Sequence, residues 1–511
     1  MAKKKVIIVG AGVTGLSAGC YALLNGFEVD IYEQHFLPGG LCTSWERGKY
    51  VFDGCLSYLY GSGRGQAFSD LWDELGILES LKFIHRDEFI RVRDPDGLDV
   101  VAYADPDRLY EHLLSISPTD ERPIRRLADG VKHLLRFDLS ALQRKPRHLM
   151  GPIDWGKLGL EMLPYTGQTL RWATISAAEF AKQFRSPFLR VAIPHLFGWS
   201  EIPMLAAVSM LAYLHTGNAG VPEGGSIKLA RALESRFTEL GGRIFYKKRV
   251  ERILVENKRA VGVRLYTDEE LRADYVISAA DGRATLFEML GGEFASRRHR
   301  NIYCDLPDPK RVFEPHSQIQ VSYGVKRDLR GEPGWVIHLL PHQPTIAADK
   351  REFLSVKNLS YDTTVAPEGH SILEVMIRLR YGYWQRIYGN PLYKTEQTQV
   401  AEQVTEQLNW IYPGIAEDIE TTDVATPVSY ERYTGNWQGS SCGWLLTKRT
   451  MLRMMLGMKK TLRRLKGFRM AGQWVEPGGS VPICAASGRN AVWSLCREEG
   501  RRFVRRREKR D

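Results

Sequence analysis

The chain has 511 residues, of which 43% are apolar and 26% are charged, the ordinary composition of a globular protein. This composition excludes a predominantly disordered chain, a collagen and a coiled-coil array, and the length corresponds to about three domain-sized units. The net charge of +11 is concentrated: residues 447–469 hold nine Lys or Arg and no acid, and residues 497–511 hold eight basic and four acidic residues. The remainder is close to neutral, which indicates two local basic patches and predicts no nucleic-acid partner.

At the N-terminus, residues 1–5 lead directly into a strand, so we expect no signal peptide. No apolar run reaches about 18 residues, so no transmembrane helix is expected either. The seven cysteines are odd in number and contain no C-x-x-C pair, which favours reduced thiols in the cytoplasm over a disulfide framework or a zinc site. No metal site is predicted at His338 and His342, because Pro341 lies between them and no zinc-binding pattern follows.

The first chemical motif follows an apolar strand at residues 5–9 and reads GAGVTG from Gly10 to Gly15. Gly10 permits a tight turn, Gly12 lets the backbone approach a pyrophosphate, and Gly15 allows close packing of the following helix. A second strand then ends at Glu33, where a carboxylate is placed to bind ribose hydroxyls. The order strand, glycines, helix, strand and acid predicts a dinucleotide site with an unphosphorylated ribose, as in FAD or NAD.

Pro38-Gly39-Gly40 comes next, and many FAD enzymes place two glycines where the chain passes the ribose and pyrophosphate, although a surface turn is the alternative. Further segments complete a resemblance that spans the chain. They are residues 48–57 (GKYVFDGCLS), 221–225 (VPEGG), 249–253 (RVERI), 273–281 (ADYVISAAD), 471–482 (AGQWVEPGGSVP) and 487–491 (SGRNA). With these motifs the sequence resembles the FAD-dependent phytoene desaturase-like family, which includes bacterial phytoene desaturases, carotenoid isomerases and retinol saturases.

The resemblance implies an α/β fold of the amine oxidase type, with a Rossmann-type FAD-binding domain and an interleaved α+β substrate domain. The expected FAD-binding domain is discontinuous and comprises residues 1–105, 221–294 and 467–505. The expected substrate domain comprises residues 106–220 and 295–466 and has a helical membrane-facing part, and residues 506–511 form a basic tail. Residues 318–325 and 370–378 are predicted as strands of a sheet that covers the flavin.

FAD is the implied cofactor, and the residues expected to contact it come from both ends of the chain and from its middle. They are Gly10, Gly12, Val13, Thr14, Gly15, Glu33, Gln34, Gly39, Gly40, Leu41, Ser57, Val250, Asp281, Gly472, Gln473, Gly479, Val481 and Pro482. In the family, the residue at Val250 meets the adenine through its backbone. A helix beginning near Ala485 would direct its positive end at the reduced flavin ring, the alternative being a connection without a ligand.

The middle of the chain carries no nucleotide motif. Aromatic and apolar residues concentrate at 188–215 and 430–446, which indicates either an apolar pocket or plain hydrophobic core. No second dinucleotide motif occurs, so electrons would pass between the flavin and an external acceptor or donor. No catalytic residue is assigned, because hydride transfer at flavin N5 with an apolar polyene needs mainly position and exclusion of water.

The basic segment at residues 451–466 is predicted to form an amphipathic helix with a methionine-rich face and Lys459, Lys460, Arg463 and Arg464 on or near its polar side. Such a helix is typical of attachment to an anionic membrane, and docking on its own domain is the alternative. The sequence therefore predicts an FAD-dependent oxidoreductase of a polyene or isoprenoid lipid that carries out desaturation, saturation or cis–trans isomerisation at a membrane surface. The alternatives are a flavin amine oxidase of the same fold and a non-catalytic prenyl-lipid escort protein.

Overall fold

The architecture was analysed on a computed structural model. The described part of the chain comprises residues 3–135, 144–146, 149–303, 315–451, 458–476 and 478–506. Within it, no helix combines the length and the hydropathy needed to cross a bilayer.

The strands, in chain order, are β1 (Lys5–Val9), β2 (Glu28–Tyr32), β3 (Ser44–Arg47), β4 (Tyr50–Asp53), β5 (Leu59–Tyr60), β6 (Phe83–Ile84), β7 (Glu88–Arg93), β8 (Asp99–Tyr103), β9 (Ala219–Pro222), β10 (Arg243–Phe245), β11 (Val250–Glu256), β12 (Arg259–Leu265), β13 (Glu270–Arg272), β14 (Tyr275–Ser278), β15 (Pro315–Val325), β16 (Trp335–Leu339), β17 (Thr345–Ile346), β18 (Asp349–Lys350), β19 (Phe353–Asn358), β20 (Ser371–Arg378), β21 (Ile419–Ala425), β22 (Ser440–Trp444) and β23 (Phe468–Met470).

The α-helices are α1 (Val13–Leu24), α2 (Ala67–Glu74), α3 (Ile77–Ser80), α4 (Pro106–Ile116), α5 (Glu121–Leu135), α6 (Pro152–Met162), α7 (Thr166–Ala173), α8 (Ala177–Ala181), α9 (Pro187–His195), α10 (Met204–His215), α11 (Ser226–Glu239), α12 (Arg297–Ile302), α13 (Tyr381–Ile387), α14 (Pro391–Ile411), α15 (Ile415–Asp418), α16 (Pro427–Thr434) and α17 (Val481–Glu498).

A parallel sheet in the order β10-β2-β1-β14-β23 forms the nucleotide-binding half of the molecule. Its central strand is buried on both faces, with Val6, Ile7 and Ile8 fully inaccessible, as continuous apolar strands of parallel sheets are. The sheet unites the two N-terminal strands with β23 near the other end of the chain. This arrangement confirms the predicted Rossmann-type α/β fold.

Helices α1 and α17 pack closely on this sheet. The Ser17 hydroxyl donates to the carbonyl oxygen of Ala485 at 2.8 Å. A Cβ at Gly488 would lie 2.4 Å from the Thr14 carbonyl oxygen, so glycine is what lets the two helices touch. Helix α17 begins at Val481, four residues before the predicted start, because proline is well tolerated in the first helical turn.

A larger mixed sheet, in the order β21-β15-β20-β19-β16-β7-β8, covers the second half. Strands β15 and β20 pair antiparallel, which confirms the two strands predicted in this region. Strands β7 and β8 belong to this sheet through the parallel pairing of β7 with β16, although they fall within the segment 1–105. The division of the chain into domains therefore stays a prediction, and its first boundary needs to fall before β7.

The helix predicted for residues 451–466 is wrong over the described residues 458–466; residues 452–457 lie outside the described part of the chain. The backbone of this segment bonds to neighbouring segments instead, with the Met458 N–H donating to the Val475 carbonyl oxygen at 3.0 Å. Lys460 is buried in an ion pair with Glu476. Leu462 and Leu465 pack in the core, so the segment is held by tertiary contacts that override helical periodicity.

Candidate cofactor-binding site

A cavity of about 470 Å³ opens at the carboxyl end of the parallel sheet. Its walls include the residues that directly follow β1, β2, β14 and β23, which is where open α/β sheets bind ligands. The predicted residues that line it are Gly10, Gly12, Val13, Thr14, Glu33, Gln34, Gly39, Gly40, Leu41, Val250, Asp281, Gly472, Gln473, Gly479 and Val481.

The glycine turn between β1 and α1 shapes one wall. Gly10 has a φ of +97°, which favours glycine, and a Cβ at Gly15 would lie 1.9 Å from the Gly10 carbonyl oxygen. At Gly12 the nearest atom to an added Cβ is the Gly39 carbonyl oxygen at 3.7 Å, so a side chain there would occupy cavity space. Gly12 is also the N-cap of α1, whose first turn holds no acid and directs its positive end into the cavity. This cradle fits a pyrophosphate.

Glu33 closes the cavity beyond the turn. Its carboxylate accepts the Ala11 N–H at 2.7 Å and the His35 N–H at 2.8 Å, which fixes its orientation. Burial raises the pKa of Glu33, and the backbone N–H groups partly oppose that rise. Two carboxylate oxygens offer about four acceptor sites, so the side chain retains capacity for ribose hydroxyls.

The opposite wall comes from the C-terminal part of the chain. The N-terminus of α17, at Val481, lines the cavity, and its N-cap Ser480 makes no side-chain capping bond. Gln473 donates to the Asn436 side-chain oxygen at 3.1 Å, which ties this wall to the segment before β22. The cavity thus has a helix N-terminus at each side, a donor arrangement that fits a dinucleotide with an electron-accepting ring.

Asp281 lies at the base of the cavity and is 4% exposed. It accepts the Ala284 N–H at 2.8 Å and the Trp437 N–H at 2.9 Å, which joins the end of β14 to the loop before β22. Burial raises the pKa of Asp281 to about 6 despite these bonds. The carboxylate is therefore costly to ionise in the folded protein.

Substitution Asp281→Asn should change how stability depends on pH. Because the folded-state pKa is raised, the stabilising contribution of Asp281 is complete below about pH 4 and is lost as the pH rises through about 6. The difference in unfolding free energy between the variant and wild type should therefore shift by about 2–3 kcal/mol in favour of the variant as the pH rises from about 4 to about 7. Urea titrations at the two pH values measure this change, with Asp129→Asn, at an exposed acid of α5, as the control. Parallel pH profiles of Asp281→Asn and wild type would contradict the assignment.

Three predicted residues do not line the cavity. Gly15 packs beneath the turn, Pro482 is buried in the first turn of α17, and Ser57 accepts a bond from Arg86 through its carbonyl oxygen at 3.1 Å. Contact of any of the eighteen residues with a cofactor stays a prediction. The lining also includes residues that were not among the predicted contacts. Cys55, Arg249 and Arg252 lie in segments that carry the resemblance, whereas Cys42, Thr434, Gly435, Asn436 and Cys484 lie in no quoted motif.

The aromatic residues predicted as pocket or core lie mainly in two cores. Phe197, Met204 and Tyr213 pack in the helical core around α5 and α10. Trp437 and Trp444 pack with the sheet and the C-terminal strand. Within the described residues, no group of three or more His, Cys, Asp or Glu side chains is arranged to hold a metal ion.

Known proteins resemble this chain along nearly its whole length. The family described as "NAD(P)-binding Rossmann-like domain" matches residues 8–75 of this chain. Prolycopene isomerase 1 of an Oncidium hybrid cultivar is 24% identical, covering 94% of this chain and 82% of the relative. Neurosporene-forming phytoene desaturase of Rhodobacter capsulatus is 22% identical, and the match covers 95% of this chain and 92% of the relative.

Solved structures share the fold at lower identity. An oxidoreductase from Methanosarcina mazei is 18% identical with a TM-score of 0.58, covering 95% of this chain and 98% of that protein. Putrescine oxidase is 15% identical with a TM-score of 0.58, covering 97% and 99%. Rab GDI from Plasmodium falciparum is 11% identical with a TM-score of 0.52, covering 98% and 99%. These likenesses confirm the predicted amine oxidase-like fold and the resemblance to the phytoene desaturase-like group.

Proposed function

We propose that this protein is an FAD-dependent oxidoreductase of an apolar polyene or isoprenoid lipid. The cavity that joins the glycine turn, Glu33 and the N-terminus of α17 is the observation that carries the proposal. The desaturase and isomerase relatives support the substrate class. FAD bound there would supply a hydride-exchanging ring, while the chain itself positions the substrate and excludes water.

The residues of the chain divide this work along the cavity. The backbone N–H groups at Gly12 and Val13 would bind the pyrophosphate, and Glu33 would accept bonds from a ribose. At the far side, the first turn of α17 would stabilise negative charge on the reduced ring. Gln473, held by Asn436, would fix the ring's orientation.

A row of aromatic rings next to the cavity supports an apolar substrate. Tyr58 lies three residues after the cavity-lining Cys55 and contacts Tyr60 and Phe89, with ring centroids 4.9 and 5.6 Å apart. Phe89 in turn contacts Trp335 at 5.3 Å. Burial raises the pKa of Tyr58 and Tyr60, so both rings stay neutral, and this apolar surface suits a polyene more than an amine.

Product analysis after anaerobic incubation tests the reaction. The purified protein is mixed with candidate polyenes under oxidised and then under reduced flavin, and the products are separated by chromatography. We expect a change in double-bond number or geometry with at least one polyene. Flavin bleaching by simple amines, with every polyene recovered unchanged, would overturn the proposal in favour of an amine oxidase.

We further propose that the protein meets an anionic membrane through α6 and the segment after it, in place of the incorrectly predicted helix. No residue of α6 is buried, and Ile153, Leu160 and Leu163 are 76%, 73% and 70% exposed. Ile153 and Leu160 are two turns apart and share one face. Both acids on α6 are paired, Asp154 with Lys145 at 2.6 Å and Glu161 with Arg144 at 4.0 Å. The neighbouring Arg505 contacts the Arg144 carbonyl oxygen.

Double substitution of Leu160 and Leu163 by Glu should abolish this attachment. Each leucine withdrawn from the lipid costs about 1.5–3 kcal/mol, so partitioning should fall by about 100-fold or more. Co-sedimentation with phosphatidylglycerol vesicles measures the loss, and phosphatidylcholine vesicles report the contribution of charge. Leu392→Glu, at an exposed leucine of α14, is the matched control. Equal sedimentation of wild type and the double variant would refute α6 as the contact.

A further inference from the structure

Two cysteines lie in neighbouring segments of the cofactor cavity wall. The hairpin of β3 and β4 ends with the pair of Ser44 and Asp53, and the Gly54 N–H donates to the Thr43 carbonyl oxygen at 3.0 Å, which keeps the two segments side by side for one more residue. Cys42 and Cys55 are the next residues on the two segments, where the Thr43 N–H turns to the Leu41 carbonyl oxygen at 3.0 Å. Both cysteines line the cavity.

A disulfide joins residues whose Cα atoms are about 4.4–6.8 Å apart, and opposite residues on adjacent antiparallel segments lie about 4.5–5.5 Å apart. The Cys55 side chain, together with burial, raises the pKa of Cys42 well above its ordinary value, as expected of neighbouring thiols. Both residues are free thiols in this structure.

The two thiols differ in access. Cys42 is 3% exposed and is directed at the Ser226 carbonyl oxygen, 3.6 Å away. Cys55 is partly accessible, and its N–H donates to the buried Asp53 carboxylate at 2.9 Å, which fixes the chain at this position. An incoming reagent therefore meets Cys55 first, because Cys42 is the more deeply buried of the two.

We propose that Cys42 and Cys55 are a redox-active pair, with Cys55 as the entry thiol and Cys42 as the resolving thiol. A low-molecular-weight disulfide is the oxidant. Cys55 attacks one of its sulfur atoms, so a mixed disulfide forms and the first small thiol leaves with a proton. Cys42 then attacks the Cys55 sulfur, the internal disulfide forms and the second small thiol leaves. Two protein thiols are oxidised and one external disulfide is reduced.

The first step prepares the second. Converting Cys55 to a mixed disulfide removes the neighbouring thiol that most strongly raises the pKa of Cys42, so the resolving thiol becomes easier to ionise. The disulfide between Cys42 and Cys55 would join the Gly39–Gly40 side of the cavity to the loop after β4. The cavity wall would then carry its own two-electron centre beside the cofactor.

Oxidised glutathione, alkylation and peptide mass spectrometry test the proposal without any turnover assay. Trypsin cuts after Arg47, Lys49 and Arg64, which places Cys42 on peptide 6–47 and Cys55 on peptide 50–64. In the wild-type protein, both as purified and after removal of bound cofactor, we expect a linked 6–47/50–64 product that dithiothreitol separates. Because Cys20 shares the first peptide, Cys42→Ser identifies the partner.

The variants assign the order of events. Cys42→Ser should accumulate a glutathionyl group on Cys55, Cys55→Ser should accumulate neither product, and Cys484→Ser should behave as wild type although Cys484 lines the same cavity. A stable glutathionyl adduct on Cys55 in wild type, a link from Cys55 to Cys484 or Cys442, or unreactive thiols in both samples would overturn the proposal. Since the readout is mass, failure here leaves the proposed oxidoreductase function standing.

Discussion

Replacing Gly12 with valine is expected to give a folded protein that no longer retains its cofactor. A Cβ at Gly12 meets only the Gly39 backbone, at 3.7 Å, so the apoprotein accommodates it, but the added isopropyl group fills the pyrophosphate cradle. Loss of two or three charge-assisted bonds of about 1.5–3 kcal/mol each corresponds to a fall in affinity of roughly 100- to 1,000,000-fold. Fluorescence titration of the stripped protein with FAD measures this.

Gly15→Val is the matched comparison at the same turn. Its Cβ would lie 1.9 Å from the Gly10 carbonyl oxygen, so this variant should lose stability as well as the cofactor. Gly12→Val should instead unfold at the same urea concentration as the wild-type apoprotein. Normal FAD affinity in Gly12→Val would show that the glycine turn is a packing feature and would remove the cradle from the site.

Replacing Asp53 with alanine is expected to lower the unfolding free energy by about 3–5 kcal/mol. The buried carboxylate accepts bonds from both the N–H and the hydroxyl of Ser226, the latter at 2.7 Å, and from the hydroxyl of Ser44 at 3.0 Å. It also accepts the N–H groups of Cys55 and Leu56 at 2.9 and 3.1 Å. Alanine leaves the N–H groups of Ser226 and Cys55 without this acceptor in the interior, whereas the Leu56 N–H keeps its bond to the Ser226 hydroxyl at 2.7 Å, and the loop that carries Cys55 loses its main anchor.

Urea denaturation of the apoprotein measures the effect of Asp53→Ala. Asp70→Ala, at an exposed acid in the first turn of α2, is the control and should change the free energy by well under about 1 kcal/mol. Asp53→Asn should lie between wild type and the alanine variant, because the amide keeps one acceptor oxygen. A loss of less than about 1 kcal/mol in Asp53→Ala would show that water replaces the carboxylate.

The nucleotide-binding half was predictable because its signals are local. The turn from Gly10 to Gly15 needs glycines for steric reasons that the sequence displays directly, and Glu33 ends a strand whose apolar run predicts burial. The opposite wall could be placed only through the family resemblance. Helix α17 of this wall starts at Val481, and that start depends on how the helix packs against α1.

What sequence patterns missed depends on tertiary contacts. The periodicity of residues 458–466 predicts a helix, yet the ion pair of Lys460 with Glu476 and the burial of Leu462 hold the segment in the core. The exposed face of α6 lacks a strong basic pattern of its own, since the helix carries one cation, Lys157, and the other cations nearby come from residues 144–145 and from the C-terminal tail. Cys42 and Cys55 are thirteen positions apart, and only the β3–β4 hairpin brings the segments that carry them side by side.

The cofactor released on denaturation of the purified protein tests the central claim most directly. The protein should be yellow, and chromatography of the supernatant after heat or acid treatment should yield FAD in an amount close to that of the protein. Stripped protein should recover the same spectrum when FAD is added. A colourless protein that fails to take up FAD, or one that releases NAD or NADP instead, would contradict the assignment of this cavity to a flavin and the reaction built on it.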